Sequence, residues 1–456
     1  MTDHRPVLQS VALCLAITAL PLADAPAAAQ DRSGDALSVT IDRHAREIEP
    51  RVVAWRRDIH EHPELGNREF RTAALVAAHL TALGLEVRTK VAHTGVVGVL
   101  RGARPGPVVA LRADMDALPV TEQVDVPFAS RVRTDYNGRE VGVMHACGHD
   151  NHVAILMGVA EVLARMRADL PGTVTFIFQP AEEGAPAGEA GGAELMLAEG
   201  AFENPVPDVV FGLHVFPVPV GSIMYRPGGF LASSDTLRIV VKGQQTHAAM
   251  PWAGTDPIVT ASQIVLGLQT IVSRQADITS APVVVSIGMI SGGVRANIIP
   301  DSVELVGTIR TLDQGMREDV HRRVRRTAEE IARSAGATAE VAIDLGYPVT
   351  VNDPALADRM LPTLRRVVGA NGVIASPPVT GAEDFSYFAQ AVPGLFVGLG
   401  VTPEGATPVP NHSPLFVADE RALPVGVRAL AHLAVDYMAG ETRVPRNGEA
   451  AMTRDR

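Results

Sequence analysis

The chain has little sulfur chemistry available to it. Only two cysteines occur in 456 residues, Cys14 and Cys147, so a disulfide-built scaffold is excluded. Basic charge is also scarce. Lys and Arg number 40 against 51 Asp and Glu, for a formal net charge of −11, and no basic run occurs, which excludes a nucleic-acid partner held through its phosphates. Several catalytic signatures are missing as well: no HExxH zinc helix, no GxSxG nucleophile elbow, no phosphate loop and no GxGxxG fingerprint. No internal repeat is present, and low-complexity sequence is confined to the two ends. Past the N-terminus no segment reads as a membrane span.

Hydrophobic residues make up 46% and charged residues 20% of the chain, a composition that buries a large core. Domains run to roughly 100–200 residues, so the length fits two. The N-terminus stands apart. Arg5 precedes the apolar stretch Val11 to Ala23, broken by Pro21, and the small-residue run Ala25 to Ala29 follows. This is the order of a secretory signal peptide, expected over residues 1–29, with an uncleaved anchor as the alternative. Its apolar core is shorter than the ~20 residues of a membrane span. Cleavage leaves an exported, periplasmic protein with no stable membrane insertion, and Cys147 becomes its sole thiol.

Hydrophobic periodicity predicts a helix over Val39 to Ile59, kinked or broken at Pro50, and another over Thr72 to Leu83 ending at Gly84. Strands follow at Gly95–Leu100 and Val108–Ala113, then a helix at Asp150–Met166 and strands at Thr173–Phe178 and Val209–Leu213. After Gly228-Gly229 the order becomes strand (236–241), helix (256–273), two strands (283–290 and 302–310), helix (317–335) and strand (338–344). That is a split βαβ arrangement, predicted to be an inserted α+β, ferredoxin-like domain. The chain then returns through a helix at 354–368, a strand at 394–399 and a helix at 423–437. The predicted fold class is α/β: a mixed-sheet catalytic domain with helices on both faces, in two parts, 38–227 and 348–441, interrupted by the insert at 228–347. A polar tail, 442–456, closes the chain.

Four short stretches carry chemistry. In Met144-His145-Ala146-Cys147-Gly148-His149-Asp150-Asn151-His152, a thiol and an imidazole stand two apart before a helix; both suit a borderline or soft divalent ion. Taken alone the stretch fits an idle thiol beside surface histidines equally well. Gln179-Pro180-Ala181-Glu182-Glu183-Gly184 places adjacent carboxylates beyond a buried strand, where open α/β sheets build sites. One can bind metal while the other takes a proton from water; alone, a solvated acidic pair is the simpler account. His214 ends an apolar strand, and His412 lies in the loop Pro410-Asn411-His412-Ser413-Pro414. Together Cys147, His149, Glu183, His214 and His412 make a ligand set that suits two ions better than one.

These stretches, with further ones in the same order, give the chain its resemblance. Arg57-Asp58-Ile59-His60 and Pro63-Glu64-Leu65-Gly66, then Arg112-Ala113-Asp114-Met115-Asp116-Ala117-Leu118-Pro119, precede them; His247-Ala248-Ala249, Asn297-Ile298-Ile299-Pro300 and Gly381-Ala382-Glu383-Asp384-Phe385 complete the series. From Ile48 to Met438 the chain resembles the amidohydrolases that include hippurate hydrolases, auxin-conjugate hydrolases and N-acyl amino acid deacetylases, which are aminoacylase-like dinuclear metallopeptidases.

The resemblance implies that Cys147 bridges two divalent ions (zinc, manganese, nickel or cobalt). It implies that His149, Glu183, His214 and His412 complete their ligands and that Glu182 is the general base. Asp116 would orient a ligand, with a loop-capping role equally open. The insert would be a lid that also mediates homodimerisation. His247 on it would reach a neighbouring active site, with Asn297 and Arg310 as substrate contacts; an ordinary ion pair is as good a reading of Arg310. The expected reaction is hydrolysis of the amide bond of an N-acyl amino acid (hippurate, N-acetyl or indole-acetyl type). A carboxypeptidase or dipeptidase working through the same site is the nearer alternative, and a non-catalytic ligand-binding module the remoter one.

The sequence also departs from the family pattern. Gln245-Thr246 replaces the usual Gly-Gly before His247, Trp252 stands where a histidine is common, and His62 is an extra histidine. Trp252 reads as lid cover or as the wall of an aromatic acyl pocket. His152 reads as packing or support rather than a ligand.

Overall fold

The computed structural model describes residues 27–440, with side chains from residue 36. Nearly all of the segment read as a signal peptide, and the C-terminal tail, therefore lie outside the described residues. The first helix, α1 (Ala27–Glu61), runs unbroken past Pro50, so of the kink or break expected there the break does not occur. Both Pro50 and Arg46, whose carbonyl loses its helical donor, are exposed, a setting in which solvent can take the place of the missing donor.

After α2 (Phe70–Ala82), the chain enters its main sheet through β1 (Glu86–Val91), β2 (Gly95–Arg101) and β3 (Arg104–Asp114). Helix α3 (His149–Arg165) leads to β4 (Pro171–Gln179), the short α4 (Gly192–Ala198), β5 (Val209–Pro219) and β6 (Ile223–Tyr225). The insert follows as β7 (Asp235–Lys242), α5 (Pro257–Thr270), β8 (Val283–Gly292), β9 (Ser302–Thr311), α6 (Gln314–Ser334) and β10 (Thr338–Leu345). The return consists of α7 (Pro354–Val368), β11 (Val373–Ala375), α8 (Phe385–Ala391), β12 (Gly394–Thr402) and α9 (Leu423–Ala439).

The main sheet is eight-stranded in the order β1-β2-β4-β3-β5-β12-β6-β11. Its centre, β4-β3-β5-β12, is parallel, while β1, β2 and β6 introduce antiparallel pairs. The central strands are buried on both faces, and β12 is buried at every residue. This explains why they read as continuous apolar runs rather than alternating ones. One face packs on α1, α3, α7 and α9 through a single large apolar cluster. The other face holds α4 and α8, around Phe385, Phe388 and Met196. Four parallel strands thus bring their C-terminal ends to one edge of the molecule, where polar groups collect.

The insert's own sheet has the order β8-β9-β7-β10, all antiparallel, the arrangement of a split βαβ unit. Its β7 alternates buried and exposed residues because only the face under α5 and α6 is covered. Asp235, at the start of β7, ties this domain together. It accepts from Arg317 Nε at 3.0 Å and from the Gly346 amide at 3.3 Å, and it pairs with His321 Nε2 at 2.8 Å.

Burial alone would raise the pKa of Asp235, but the hydrogen bonds from His321 and Arg317 outweigh it and hold the carboxyl below the usual range. A depressed carboxyl pKa adds stability that is present above the unfolded value, about 3.9, and is lost as pH falls through the folded one. Asp235→Ala, which strands the Arg317 charge, should lower the unfolding free energy by about 3–5 kcal/mol at pH 7. It should also flatten the loss of stability on acidification. Urea titrations at neutral and acid pH check both expectations.

Candidate metal centre and active site

β3 ends on Asp114, with Asp116 just beyond it; beyond β4 lie Glu182 and Glu183; β5 carries His214; α3 opens with His149; and the loop after β12 carries His412. Cys147 sits two residues ahead of the start of α3. Gly148 links it to His149 with φ 98°, and a Cβ there would fall 2.4 Å from Val215 Cγ2, so only glycine lets the thiol and the imidazole turn to the same side. The His412 loop is fastened to this segment. The His412 amide donates to Ala146 O at 2.8 Å, and Asn411 Nδ2 donates to Cys147 O at 2.8 Å and Val215 O at 3.2 Å.

The expected ligand set meets in space. Donor atoms of Cys147, His149 and His214 lie within 4.8 Å of one another, as do those of Cys147, Glu183 and His412, and those of His149, Glu182 and Glu183. Cys147 Sγ is 3.2 Å from His214 Nε2, and His412 Nε2 is 3.1 Å from Glu183 Oε1. Ligands sharing one tetrahedral ion stand about 3.3–3.5 Å apart, close to these separations. Neither ring nitrogen of His149 nor Glu183 Oε1 has an aligned hydrogen bond, although all three are buried. Buried polar atoms left this way call for a partner. A divalent cation fits this donor set.

Hydrogen bonds set the tautomers. His214 Nδ1 donates to Val215 O at 2.7 Å, leaving Nε2 free toward the thiol. The Val215 amide donates to His152 Nε2 at 2.9 Å, so the His152 proton is on Nδ1, against Asp114 Oδ1. Both nitrogens of His152 are thereby used, and it braces the site without a free donor atom. Asp116 Oδ1 faces His149 Nδ1 at 3.3 Å and accepts from the Glu182 amide at 3.1 Å, while Oδ2 accepts from the Glu183 amide at 2.9 Å.

Negative charge dominates underneath. Asp114, Asp116, Glu182, Glu383 and Asp384 are all buried around Arg112, itself 1% exposed. Arg112 donates to Asp114 at 2.7 Å, Asp384 at 2.8 Å and Gln179 at 2.8 Å, and pairs with Glu383 at 2.9 Å. Burial, then Glu383 and Glu183, push the Glu182 carboxyl well up. Burial, then Glu183 and Glu182, push the Cys147 thiol up. Burial opposes the charged form of His149, but Asp114 and Asp116 outweigh it and raise its pKa to about 10. Such a pocket attracts cations, and a bound cation reverses the preference of the thiol.

The site opens into a cavity of about 600 Å³ lined by Cys147, Glu182, His214, His412, Tyr347 and, from the insert, Arg310. Arg310 is half-buried and makes no ion pair among the described residues; its Nε donates to Thr308 Oγ1 at 3.1 Å. His247 and Asn297 are not brought there. They are exposed on a separate short pairing of the insert, Thr246–His247 with Ile298–Ile299 and its flank. Trp252 is 78% exposed and lines no part of the cavity, so it covers lid surface. Sequence reading gave no role to Arg112, Gln179, Asp384, Asn411 or Tyr347. Each acts through a partner far along the chain, and only its place inside a quoted motif marked the first four.

A fold of this kind with such a donor set defines a metallohydrolase. The model of peptidase family M20/M25/M40 matches residues 110–436, and the chain belongs to that family. It is 42% identical over 396 residues to thermostable carboxypeptidase 2 of Saccharolobus solfataricus, covering 86% of this chain and 96% of that one. It is 40% identical over 387 residues to N-acetylcysteine deacetylase of Bacillus subtilis, covering 84% and 96%. Among solved structures, the Bacillus subtilis YXEP protein, described as a dinuclear metal-binding peptidase of family M20, aligns with a TM-score of 0.72 at 37% identity, covering 86% of this chain and 99% of that one.

Removing Arg112 strands its carboxylates. Arg112→Met should lower the unfolding free energy by about 3–5 kcal/mol. Urea unfolding that moves by under about 1 kcal/mol would contradict the counter-charge role.

Proposed function

We propose that the protein is a metal-dependent amidohydrolase that cleaves the amide bond of N-acyl amino acids. The observation that carries this reading is the pairing of a buried thiol, imidazole and carboxylate cluster with an unpaired Arg310 across one cavity. The cluster suits activation of water, and the guanidinium fork suits a substrate carboxylate. Cys147, His149, Glu183, His214 and His412 would hold two divalent ions, with Cys147 shared between them. Thiolate and imidazole suit zinc, nickel or cobalt, and carboxylates suit manganese. When bound, such a pair supplies Lewis acidity to the carbonyl and lowers the pKa of water.

The remaining work belongs to side chains. Glu182, whose Oε2 is 3.8 Å from His149 Nε2, takes a proton from the attacking water and delivers it to the leaving amine, which departs as the C–N bond breaks. Asp116 keeps His149 and the Glu182-Glu183 backbone in register. Arg310 orients the substrate carboxylate. The thermostable carboxypeptidase relative favours a second substrate type, a peptide whose terminal amide takes the same position. A panel of N-acetyl amino acids, hippurate and dipeptides separates the two.

The protein is further proposed to be exported, on the strength of the charged, apolar and small-residue order over residues 1–29, and to form a homodimer through the lid. Support for the dimer comes from the edge strand β8, with Met289 and Ile290 exposed, and from α5, with Val259 and Leu266 exposed. In a dimer, His247 and Asn297 would serve the neighbouring site, in keeping with their distance from the cavity of their own chain.

Glu182→Gln should retain metal and lose at least about 10²-fold in kcat, measured on the substrate panel with metal content determined in parallel. Turnover at the parental level would remove Glu182 from the base role.

A further inference from the structure

Three successive amides ahead of and within the Glu182-Glu183 pair are held by carboxylates. Those of Glu182 and Glu183 donate to Asp116 at 3.1 and 2.9 Å, and that of Ala181 donates to Glu69 Oε1 at 2.9 Å. Ala181 is the residue that turns the chain. Its φ is 52°, in the left-handed region that alanine rarely occupies, and it is 1% exposed. Neighbouring backbone crowds it: a Cβ placed at Gly66 or at Gly191 would lie 3.2 Å from Ala181 Cβ. On the carbonyl side, Tyr347 donates to Glu182 O at 2.6 Å.

Glu69 ties the Ala181 amide to the segment ahead of α2. It stands at the start of α2 but makes no side-chain capping bond to that helix. Its Oε1 also accepts from the Asn67 amide at 3.1 Å, and its Oε2 accepts from the Thr94 hydroxyl at 2.5 Å. The side chain has no exposure to solvent. Burial, with Asp116 nearby, pushes its pKa up to about 8, so a neutral amide is a close isostere of its form at neutral pH.

We propose that Glu69 is a positioning residue for the reaction: by holding the Ala181 amide it locks the left-handed turn that aims Glu182 into the cavity, while Glu183 is held separately, its amide by Asp116 and its carboxylate against His412. The inference rests on Glu182 being the base. A misplacement of about 1 Å at such a group costs on the order of 10²-fold in rate. Losing one anchor of three should therefore act on kcat and leave binding alone.

The test compares the parent with Glu69→Ala, Glu69→Gln and the double variant Glu69→Ala/Ala181→Gly. Readouts are kcat and KM on the substrate panel, bound metal, and amide hydrogen exchange over residues 181–184. Glu69→Ala should lose at least about tenfold in kcat, with KM and metal content unchanged and exchange over 181–184 faster by a similar factor. Glu69→Gln, which keeps an oxygen acceptor, should stay within about threefold of the parent. Glycine at 181 adopts the turn without steric cost and should recover at least about threefold of the loss.

Parental kcat and exchange in Glu69→Ala would overturn the proposal. So would Glu69→Gln failing as badly as Glu69→Ala, or a kcat loss matched by lost metal. A parent inactive on every substrate would defeat the proposed reaction instead, and the exchange measurement alone would then decide whether Glu69 holds the turn.

Discussion

A guanidinium without solvent, Arg112, lies under Asp114, Glu383 and Asp384, with Asp116 and Glu182 close by. One positive charge cannot neutralise that group, and water is excluded from most of it. Burying carboxylates so densely is costly unless further cations arrive. Beside this group lie Cys147, His149 and His214, and both ring nitrogens of His149, with Glu183 Oε1, lack an aligned hydrogen bond. The rest of the architecture can be read as the means of holding this imbalance in place. Parallel strands deliver Asp114, Asp116, Glu182 and Glu183 to one edge, α3 delivers His149, and the Asn411 side chain pins the His412 loop to the backbone of Cys147 and Val215.

The insert adds the opposite kind of charge. Arg310 lines the same cavity and forms no ion pair among the described residues, so a cation faces the carboxylates and imidazoles across the cavity. In the proposed reaction, a substrate bearing a carboxylate next to a scissile amide would span the two. Tyr347, where the insert rejoins the catalytic domain, bonds directly to the backbone of Glu182. The end of the insert and Glu182 therefore share a hydrogen bond, which makes the placement of Glu182 sensitive to the join between the insert and the rest of the chain.

Much of this was legible in the sequence because it is local. Cys147 and His149 are two residues apart, the central strands are unbroken apolar runs, and the helix expected over Pro354 to Val368 has those bounds in the structure. The split βαβ order of the insert was equally plain from alternating patterns. What escaped was set by partners remote along the chain. Arg112 and Asp384 are 272 residues apart, and Glu69 and Ala181 are 112 apart; nothing in the neighbourhood of either residue announces the other. Short elements such as α4, α8 and the hairpin of Arg133–Tyr136 with Arg139–Gly142 carry too few residues for periodicity to show. At Pro50, where a kink or a break was expected, the helix is continuous, with Pro50 and Arg46 both exposed.

The account depends on Cys147, His149, Glu183, His214 and His412 forming one cation-binding centre, so metal stoichiometry tests it most directly. Metal-free protein should be titrated with zinc, manganese, nickel and cobalt in turn, and bound metal counted by mass spectrometry, beside the Cys147→Ser variant. The account predicts two ions per chain for at least one metal and a marked loss of occupancy when the thiol is replaced. Absence of stoichiometric binding, or full occupancy in Cys147→Ser, would contradict it.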